Sequence, residues 1–428
     1  MQSTASGELE TSSRRPPAAD GPWDAKYEFK AVGLLTIGLG LLGLDRFIIN
    51  PLFPVMQKDL GLDYQDMGLV AAALALACGC ASIFAGGLSD RIGRKRVLLP
   101  ALLAFSVLVA ISGLASGLIS LLVIRALMGL CDGAYMPAAV VSVVTVSKPS
   151  RIGLNTGLQQ MAQPLFGLGL GPLIAVGLLK VMPSWHWVFA VVAIPGLALA
   201  LAIAHMLKND VPAYRPTSTE PPRVRAVLRY SAVIVNALCM ACYLTSVITL
   251  AAFLPNYLTD HLKMSLDQMG LVLAGQGIGS LVGMVMVPAI SDRLGCKPVI
   301  LATLALNVAA LWLLPSIGSD PLALFAILFV ALGMTSGAIA ITLGPLTSAA
   351  VPAALANSAT GLVVGTGEIL GGALAPALAG ALAQRLGIAV VPQIALIAIV
   401  IALVLVAFGV RKPRSADTEA PARANPVS

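Results

Sequence analysis

The sequence Ser-Asp-Arg-Ile-Gly-Arg-Lys at residues 89–95 returns as Ser-Asp-Arg-Leu-Gly-Cys-Lys at residues 291–297. A second motif, Met-Gly-Leu-Val, occupies residues 67–70 and returns at residues 269–272, with the same spacing of 202 residues. One spacing shared by two separate motifs indicates an internal duplication. The sequence therefore predicts two related halves, joined by the basic segment 208–230.

The composition around these motifs is that of a membrane protein. Of the 428 residues, 58% are hydrophobic and 11% are charged, and the mean hydropathy is +0.90. An ordinary soluble domain is about 25% charged, so a soluble globular protein is excluded and a lipid bilayer must cover much of the chain. The net charge of +7 does not indicate a nucleic-acid partner, because the basic residues lie in short loops between apolar runs.

Twelve apolar segments are long enough to cross a bilayer, which requires about 20 residues for each helix. The fold class is therefore an all-α membrane protein with twelve transmembrane helices in two pseudo-symmetric six-helix halves. The predicted spans are 31–54, 67–88, 97–117, 119–146, 153–179 and 187–207 in the first half, and 231–257, 268–290, 298–318, 321–348, 357–382 and 389–410 in the second. The predicted domains are a disordered tail at 1–30, the halves at 31–207 and 231–410, the linker at 208–230 and a tail at 411–428.

The distribution of Lys and Arg predicts the orientation of these helices. If both termini are cytoplasmic, 21 of the 27 basic residues fall in inner segments, 4 in outer segments and 2 within the membrane. Cytoplasmic loops carry an excess of Lys and Arg, so we expect a multi-pass protein of the cytoplasmic (inner) membrane with both termini inside. We expect it to act as a monomer.

The loop between spans 2 and 3 resembles the signature loop of the major facilitator superfamily. The resemblance lies in Gly86, Asp90, Arg91, Gly93 and Arg94, and Asp292 and Arg293 repeat part of it in the second half. It implies a secondary transporter, a class in which duplicated halves are common, and it implies that these residues form a conformational latch. A generic basic loop is the alternative interpretation.

Five ionisable residues fall inside the predicted spans: Asp45, Arg46, Arg125, Asp132 and Glu368. Each costs about 2.5 to 3.5 kcal/mol at the centre of a helix in a membrane, so we expect them to pair and to face an aqueous cavity. Asp45 and Arg46 are adjacent and point about 100° apart. Arg125 and Asp132 share a face of span 4 and can either line one cavity or form a structural ion pair.

The same residues are similar to a pattern of the anion:cation symporter family, which includes sugar-acid importers, sialin and the vesicular glutamate transporters. The matching residues are Asp45-Arg46, the run 125–129, Asp132-Gly133 and Pro137. The resemblance implies that Asp45 and Asp132 carry protons, that Arg46 binds the carboxylate of a small organic anion, and that Arg125 governs coupling. Protons would be the coupling ion, and no cofactor or metal is expected. Gly43 stands where the family has Tyr and Asp132 where it often has Glu, which favours a carboxylate other than a sugar acid.

Other polar residues of the spans are candidates for weaker roles. Glu368 is either a third proton-coupling site or a carboxylate near the cytoplasmic vestibule that pairs with a loop arginine. The candidates for substrate contact are Gln159, Gln163, Asn236, Tyr243 and Gln276, although interhelical polar contacts are also common in helical bundles.

Two further functions are alternatives to symport. Gly167, Gly171 and Pro172 resemble a motif of antiporters, which favours export of a drug or metabolite, but small residues also permit close helix packing. An enzyme is not expected, because the three His residues, His186, His205 and His261, form no HExxH or other helical metal pair.

Overall fold

The computed structural model describes residues 24–208, 227–352 and 355–409, without the side chains of residues 83–92, 356 and 357. Within these ranges twelve helical segments are long and apolar enough to cross a membrane, which confirms the predicted fold class. We number them as spans 1 to 12. The predicted linker and C-terminal tail lie almost wholly outside the described residues.

The first half contains six spans, two of them interrupted. Span 1 consists of the helices Ala25–Phe47 and Ile49–Leu60, and spans 2, 3 and 4 are Tyr64–Ile92, Arg94–Ser112 and Leu118–Val146. Span 5 consists of the α-helices Ile152–Pro164 and Gly171–Val181 joined by the π-helix Leu165–Leu170, and span 6 is Trp185–Met206.

The second half repeats this arrangement. Span 7 is Ser231–Asn256 extended by the π-helix Tyr257–His261, and spans 8 and 9 are Leu266–Leu294 and Cys296–Leu313. Span 10 is Pro321–Ile341 with the π-helix Thr342–Leu346, span 11 joins Ala356–Thr366 and Ala375–Leu386 through the π-helix Gly367–Leu374, and span 12 is Val391–Gly409.

Span 1 begins at Ala25, so the prediction of a disordered tail is wrong for residues 25–30. Asp24 caps the helix by accepting hydrogen bonds from the backbone N–H groups of Lys26 and Tyr27, both at 3.1 Å. One turn later Glu28 is buried, and its carboxylate accepts a hydrogen bond from Asn155 at 2.9 Å. The polar residues 25–30 therefore form the start of span 1, because the buried carboxylate of Glu28 has hydrogen-bond partners within the protein.

Span 1 is broken at Ile48, directly after the Asp45-Arg46 pair. Pro51 has no N–H to donate to the carbonyl of Phe47, and its ring would collide with that carbonyl in a continuous helix. The break therefore places the two ionisable residues at the end of a helix in the middle of the bundle.

Residues of the duplicated loop have the same geometry in both halves. Gly93 and Gly295 adopt φ values of 94° and 89°, which lie in a region that favours glycine. Lys95 donates to the carbonyl of Ala204 at 2.7 Å, and Lys297 donates to the carbonyl of Ala407 at 2.9 Å. Each lysine thus binds the end of the last span in its own half, as an internal duplication predicts.

The two halves meet at the end of the bundle opposite Ala25 and Gly409, which we call the far end. The side chain of Asn256 donates a hydrogen bond to Gln57 at 2.6 Å, and Lys180 forms an exposed ion pair with Asp267 at 2.6 Å. About midway along their lengths, spans 5 and 8 approach so closely that a Cβ at Gly277 would overlap the backbone of Gly169. The far end is therefore closed by direct contacts between the halves.

Candidate functional site

Arg46 lies at the centre of the bundle and joins three spans. Its guanidinium contacts Asp132 of span 4 and Glu368 of span 11, each at an N–O distance of 3.0 Å. The side chains of Arg46 and Asp132 are 6% and 0% exposed, whereas that of Glu368 is 16% exposed. The network connects the two halves, since Glu368 belongs to the second half.

Arg125 does not form an ion pair with Asp132, so that structural alternative is wrong. Seven residues of α-helix separate the two by roughly 10 Å along the axis, and Asp132 pairs with Arg46 instead. Arg125 donates one hydrogen bond, from Nη1 to the backbone carbonyl of Arg46 at 3.1 Å. Its buried Nε and Nη2 atoms have no hydrogen-bond acceptor among the described residues.

Asp45 points away from Arg46 into the interior of the first half. It is 1% exposed, and a Cβ built on Gly196 of span 6 would lie 4.0 Å from its Oδ2 atom. Arg125 is the cation that acts on it electrostatically. The adjacent residues Asp45 and Arg46 therefore occupy different environments, as their angular separation predicts.

A cavity lies on the far side of Arg46, between it and Arg125. Its volume is about 40 Å³, which is enough for roughly three water molecules. It is lined by Arg46, Arg125, Asn50 and apolar side chains that include Phe53, Met67 and Ile248. No carboxylate is among the described residues that line it, so its charged groups are both cationic.

Asn50 is the site residue that sequence reasoning missed. It lies four residues after Arg46, about one helical turn away, and it lines both this cavity and a smaller one beside it. This spacing of four residues from Arg46 was visible in the sequence and could have predicted that Asn50 lies beside Arg46.

The predicted polar contacts are distributed over several environments. Gln276 lines the smaller cavity, together with Asn50 and Pro51. Asn236 donates to Thr347 at 3.1 Å, an interhelical contact that needs no substrate. Gln159 and Tyr243 are fully buried, Gln163 is half-buried, and the described lining of neither cavity includes them.

The predicted latch is only partly described. Gly86, Asp90 and Arg91 lie in the stretch 83–92, whose side chains are not described. Arg94 donates a hydrogen bond to Thr145. Asp292 and Arg293 are exposed at the end of span 8. Its role in conformational change stays a prediction.

The glycines of the antiporter-like motif make packing contacts. A Cβ on Gly167 would lie 2.6 Å from the backbone carbonyl oxygen of Gly43, so this glycine allows spans 1 and 5 to approach each other closely.

The sequence matches the family described as the Major Facilitator Superfamily over residues 35–248 and 236–428. The chain belongs to this superfamily. It is therefore a secondary transporter rather than an enzyme, and a multi-pass protein of the inner membrane, as the sequence motifs predicted.

Relatives and solved structures agree with this membership. The chain is 26% identical to the hexuronate transporter of Bacillus subtilis over 58% of this chain and 61% of the relative. It is 27% identical to the probable nitrate/nitrite transporter NarK2 of Mycobacterium tuberculosis over 78% of this chain and 84% of the relative. A bacterial homologue of the lysosomal transporter Spinster, in an inward-facing and occupied conformation, has the same fold with a TM-score of 0.70 at 15% identity, covering 90% of this chain and 96% of that one.

Proposed function

We propose that this protein is a proton-coupled symporter of a small organic anion that works by alternating access. The observation that carries the proposal is the central cavity, whose charged lining among the described residues consists of Arg46 and Arg125. Guanidinium groups keep their charge and present planar pairs of donors that fit a carboxylate. Such a cavity favours an anion over a cation.

Arg125 has two guanidinium nitrogens without a hydrogen-bond acceptor among the described residues. These are its buried Nε and Nη2 atoms, and the residue lines the cavity. An unsatisfied buried donor next to a charge is costly. Both atoms are inaccessible to water, so a carboxylate in the cavity satisfies them once the guanidinium turns towards it. We therefore extend the role of Arg125 from coupling to direct anion binding, alongside Arg46.

The relatives include other transporters of anions. Hexuronate and nitrate/nitrite are named for two of them, and a probable sulfoacetate transporter of Cupriavidus necator is 24% identical over 43% of each chain. Each of these ions carries a delocalised negative charge on the oxygens of a planar or tetrahedral group. A guanidinium recognises such oxygens.

Asp45 and Asp132 are the proposed proton carriers. Both are buried in the first half, and each is influenced by an arginine. A desolvated carboxyl group tends to its neutral form, and a neighbouring guanidinium favours the charged form. A change in hydration or in the position of the guanidinium therefore changes proton binding. Protonation of Asp132 would weaken its ion pair with Arg46 and leave Glu368 as the charged partner of that guanidinium.

With both termini in the cytoplasm, as the Lys and Arg distribution favours, the far end faces the outside. The closed far end then corresponds to a conformation that releases substrate to the cytoplasm. In alternating access the two halves rock about the central site to reach the opposite state.

Proton-coupled export of a drug or metabolite is the second candidate. The charged groups of the centre comprise three carboxylates and two guanidiniums, and an excess of negative charge favours a proton or a cationic substrate. A relative named multidrug resistance protein MdtG, of a Rahnella species, is 27% identical over 77% of this chain.

The test is internal pH in proteoliposomes that contain a trapped pH dye. Glucuronate, sulfoacetate, nitrate and the cation tetraphenylphosphonium are added outside in turn. Symport predicts acidification with an anion, loss of that signal in Arg46→Gln and Arg125→Gln, and an unchanged signal in the control Arg385→Gln, whose side chain is exposed at the far end. Alkalinisation with the cation would establish antiport and contradict symport, and anion entry without a pH change would contradict proton coupling.

A further inference from the structure

The guanidinium of Arg46 is already occupied by two carboxylates. Asp132 and Glu368 each lie 3.0 Å from one of its terminal nitrogens, Nη1 and Nη2 respectively. A substrate carboxylate that binds Arg46 must therefore take the place of one of them. The two carboxylates differ in ways that identify which one yields.

Asp132 is the more firmly enclosed of the two. Its side chain is fully buried, and it belongs to the same half as Arg46. Leaving Arg46 would strand this carboxylate inside the protein, where an unpaired charge is very unfavourable.

Glu368 is held less tightly and comes from the other half. Its side chain is 16% exposed, so it can reach water when it leaves Arg46. It lies on the π-helix Gly367–Leu374, a type of segment that is uncommon and is frequently found at functional sites. A Cβ on Gly372 would lie 3.0 Å from its Oε2 atom, so this glycine leaves the space that the carboxylate occupies.

We propose that Glu368 is an internal ligand of Arg46 that holds the place of the substrate's carboxylate in the empty transporter. The substrate carboxylate forms an ion pair with Arg46, the Arg46–Glu368 ion pair breaks, and the carboxylate of Glu368 turns towards water. This inference rests on the proposed function, because it assumes that an anion binds at Arg46. It adds that the incoming anion breaks the Arg46–Glu368 ion pair between the two halves and forms its own ion pair with Arg46.

Charge balance gives the number of protons. The centre contains Asp45, Asp132 and Glu368 against Arg46 and Arg125, so one bound proton makes it neutral. A bound monocarboxylate adds one negative charge and requires a second proton, because an uncompensated buried charge is strongly unfavourable. One proton therefore enters with each monocarboxylate.

Chemical rescue tests the exchange without knowledge of the natural substrate. Glu368→Ala removes the internal carboxylate and leaves a gap at Arg46, and acetate is the probe that fills it. The midpoint of thermal unfolding of the purified variant is expected to rise with acetate and not with acetamide, its neutral isostere. If Glu368 occupies Arg46 nine-tenths of the time, the acetate concentration for half of the effect is about tenfold lower in Glu368→Ala than in the unchanged protein.

The double variant Arg46→Gln/Glu368→Ala is the matched control and is expected to lose the acetate effect. Equal responses to acetate and acetamide, or an equal response in the double variant, would overturn the proposal. If Glu368→Ala does not fold, the isosteric Glu368→Gln is measured in the same way, with a smaller expected gain because the amide still fills the space. An acetate response that matches that of the unchanged protein would then overturn the proposal.

The outcome is separate from that of the proposed function. Acetate rescue reports a carboxylate position at Arg46 even if no tested anion is transported. Conversely, anion-driven acidification with no rescue would leave symport standing and remove Glu368 from the exchange.

Discussion

The hydroxyl of Tyr64 donates a hydrogen bond to the carboxylate of Asp260 at 3.0 Å, across the boundary between the two halves at the far end. Asp260 also accepts from Asn256 at 2.9 Å, and the backbone N–H of Tyr64 donates to Gln384 at 3.2 Å. The far end is therefore closed by a connected set of hydrogen bonds. Breaking this set is a necessary step towards opening the far end.

Tyr64→Phe should shift the protein towards the conformation that is open at the far end. Losing this hydrogen bond costs about 1 kcal/mol, which corresponds to a roughly fivefold larger open fraction. The measurement is the rate at which a membrane-impermeant maleimide labels a cysteine introduced at Ala252, which lines the cavity and is 2% exposed in the closed state. Tyr230→Phe, at the opposite end, is the control. The same labelling rate in both variants would show that closure does not depend on this bond.

Much of the fold could be predicted because its signals are local. Hydropathy over about 20 residues defines each span, and the duplicated loop at residues 89–95 and 291–297 defines the halves. The interruption at Ile48 was not predicted, although Pro51 lies in the predicted span and disfavours a continuous helix. The start of span 1 was missed because the partners of Glu28 lie in later spans.

The members of the site could be predicted, but their partners could not. Charged residues are rare enough inside membranes that Arg46, Arg125, Asp132 and Glu368 stand out in the sequence. Whether Arg46 meets Asp132, Glu368 or neither depends on how spans 1, 4 and 11 pack together. No periodicity within one helix contains that information.

Gly277→Ala should disrupt the close contact between spans 5 and 8 midway along their lengths. The added methyl group would overlap the backbone of Gly169, which cannot rotate away as a side chain can. Overpacking of this kind costs about 1 to 3 kcal/mol, so the closed conformation should lose population and the labelling rate at position 252 should rise. Gly177→Ala is the matched control, because nothing lies within 4 Å of its Cβ position. If both variants label equally slowly, the close approach is not a determinant of closure.

Arg125→Lys should weaken anion binding although it keeps the positive charge. Lysine has one ammonium in place of the planar fork, so it cannot present the Nε and Nη2 donors together. Loss of one hydrogen bond to a charged group costs about 1.5 to 3 kcal/mol, so we expect the KM for the anion to rise by roughly tenfold or more. The measurement is initial uptake of the anion that acidifies proteoliposomes, at several concentrations. An unchanged KM would show that Arg125 does not contact the substrate.

Asp45→Asn should separate proton coupling from substrate movement. Asp45 is buried on the side of span 1 that faces away from Arg46, and it is not among the residues that line the cavity, so its removal leaves the substrate contacts in place. Uptake driven by a pH gradient should therefore be abolished, while exchange of labelled for unlabelled anion at equal pH continues. Asp320→Asn is the control, because Asp320 is an exposed helix cap and asparagine caps a helix equally well. Normal gradient-driven accumulation in Asp45→Asn would remove this residue from the coupling mechanism, and loss of both activities would place it in substrate binding or folding instead.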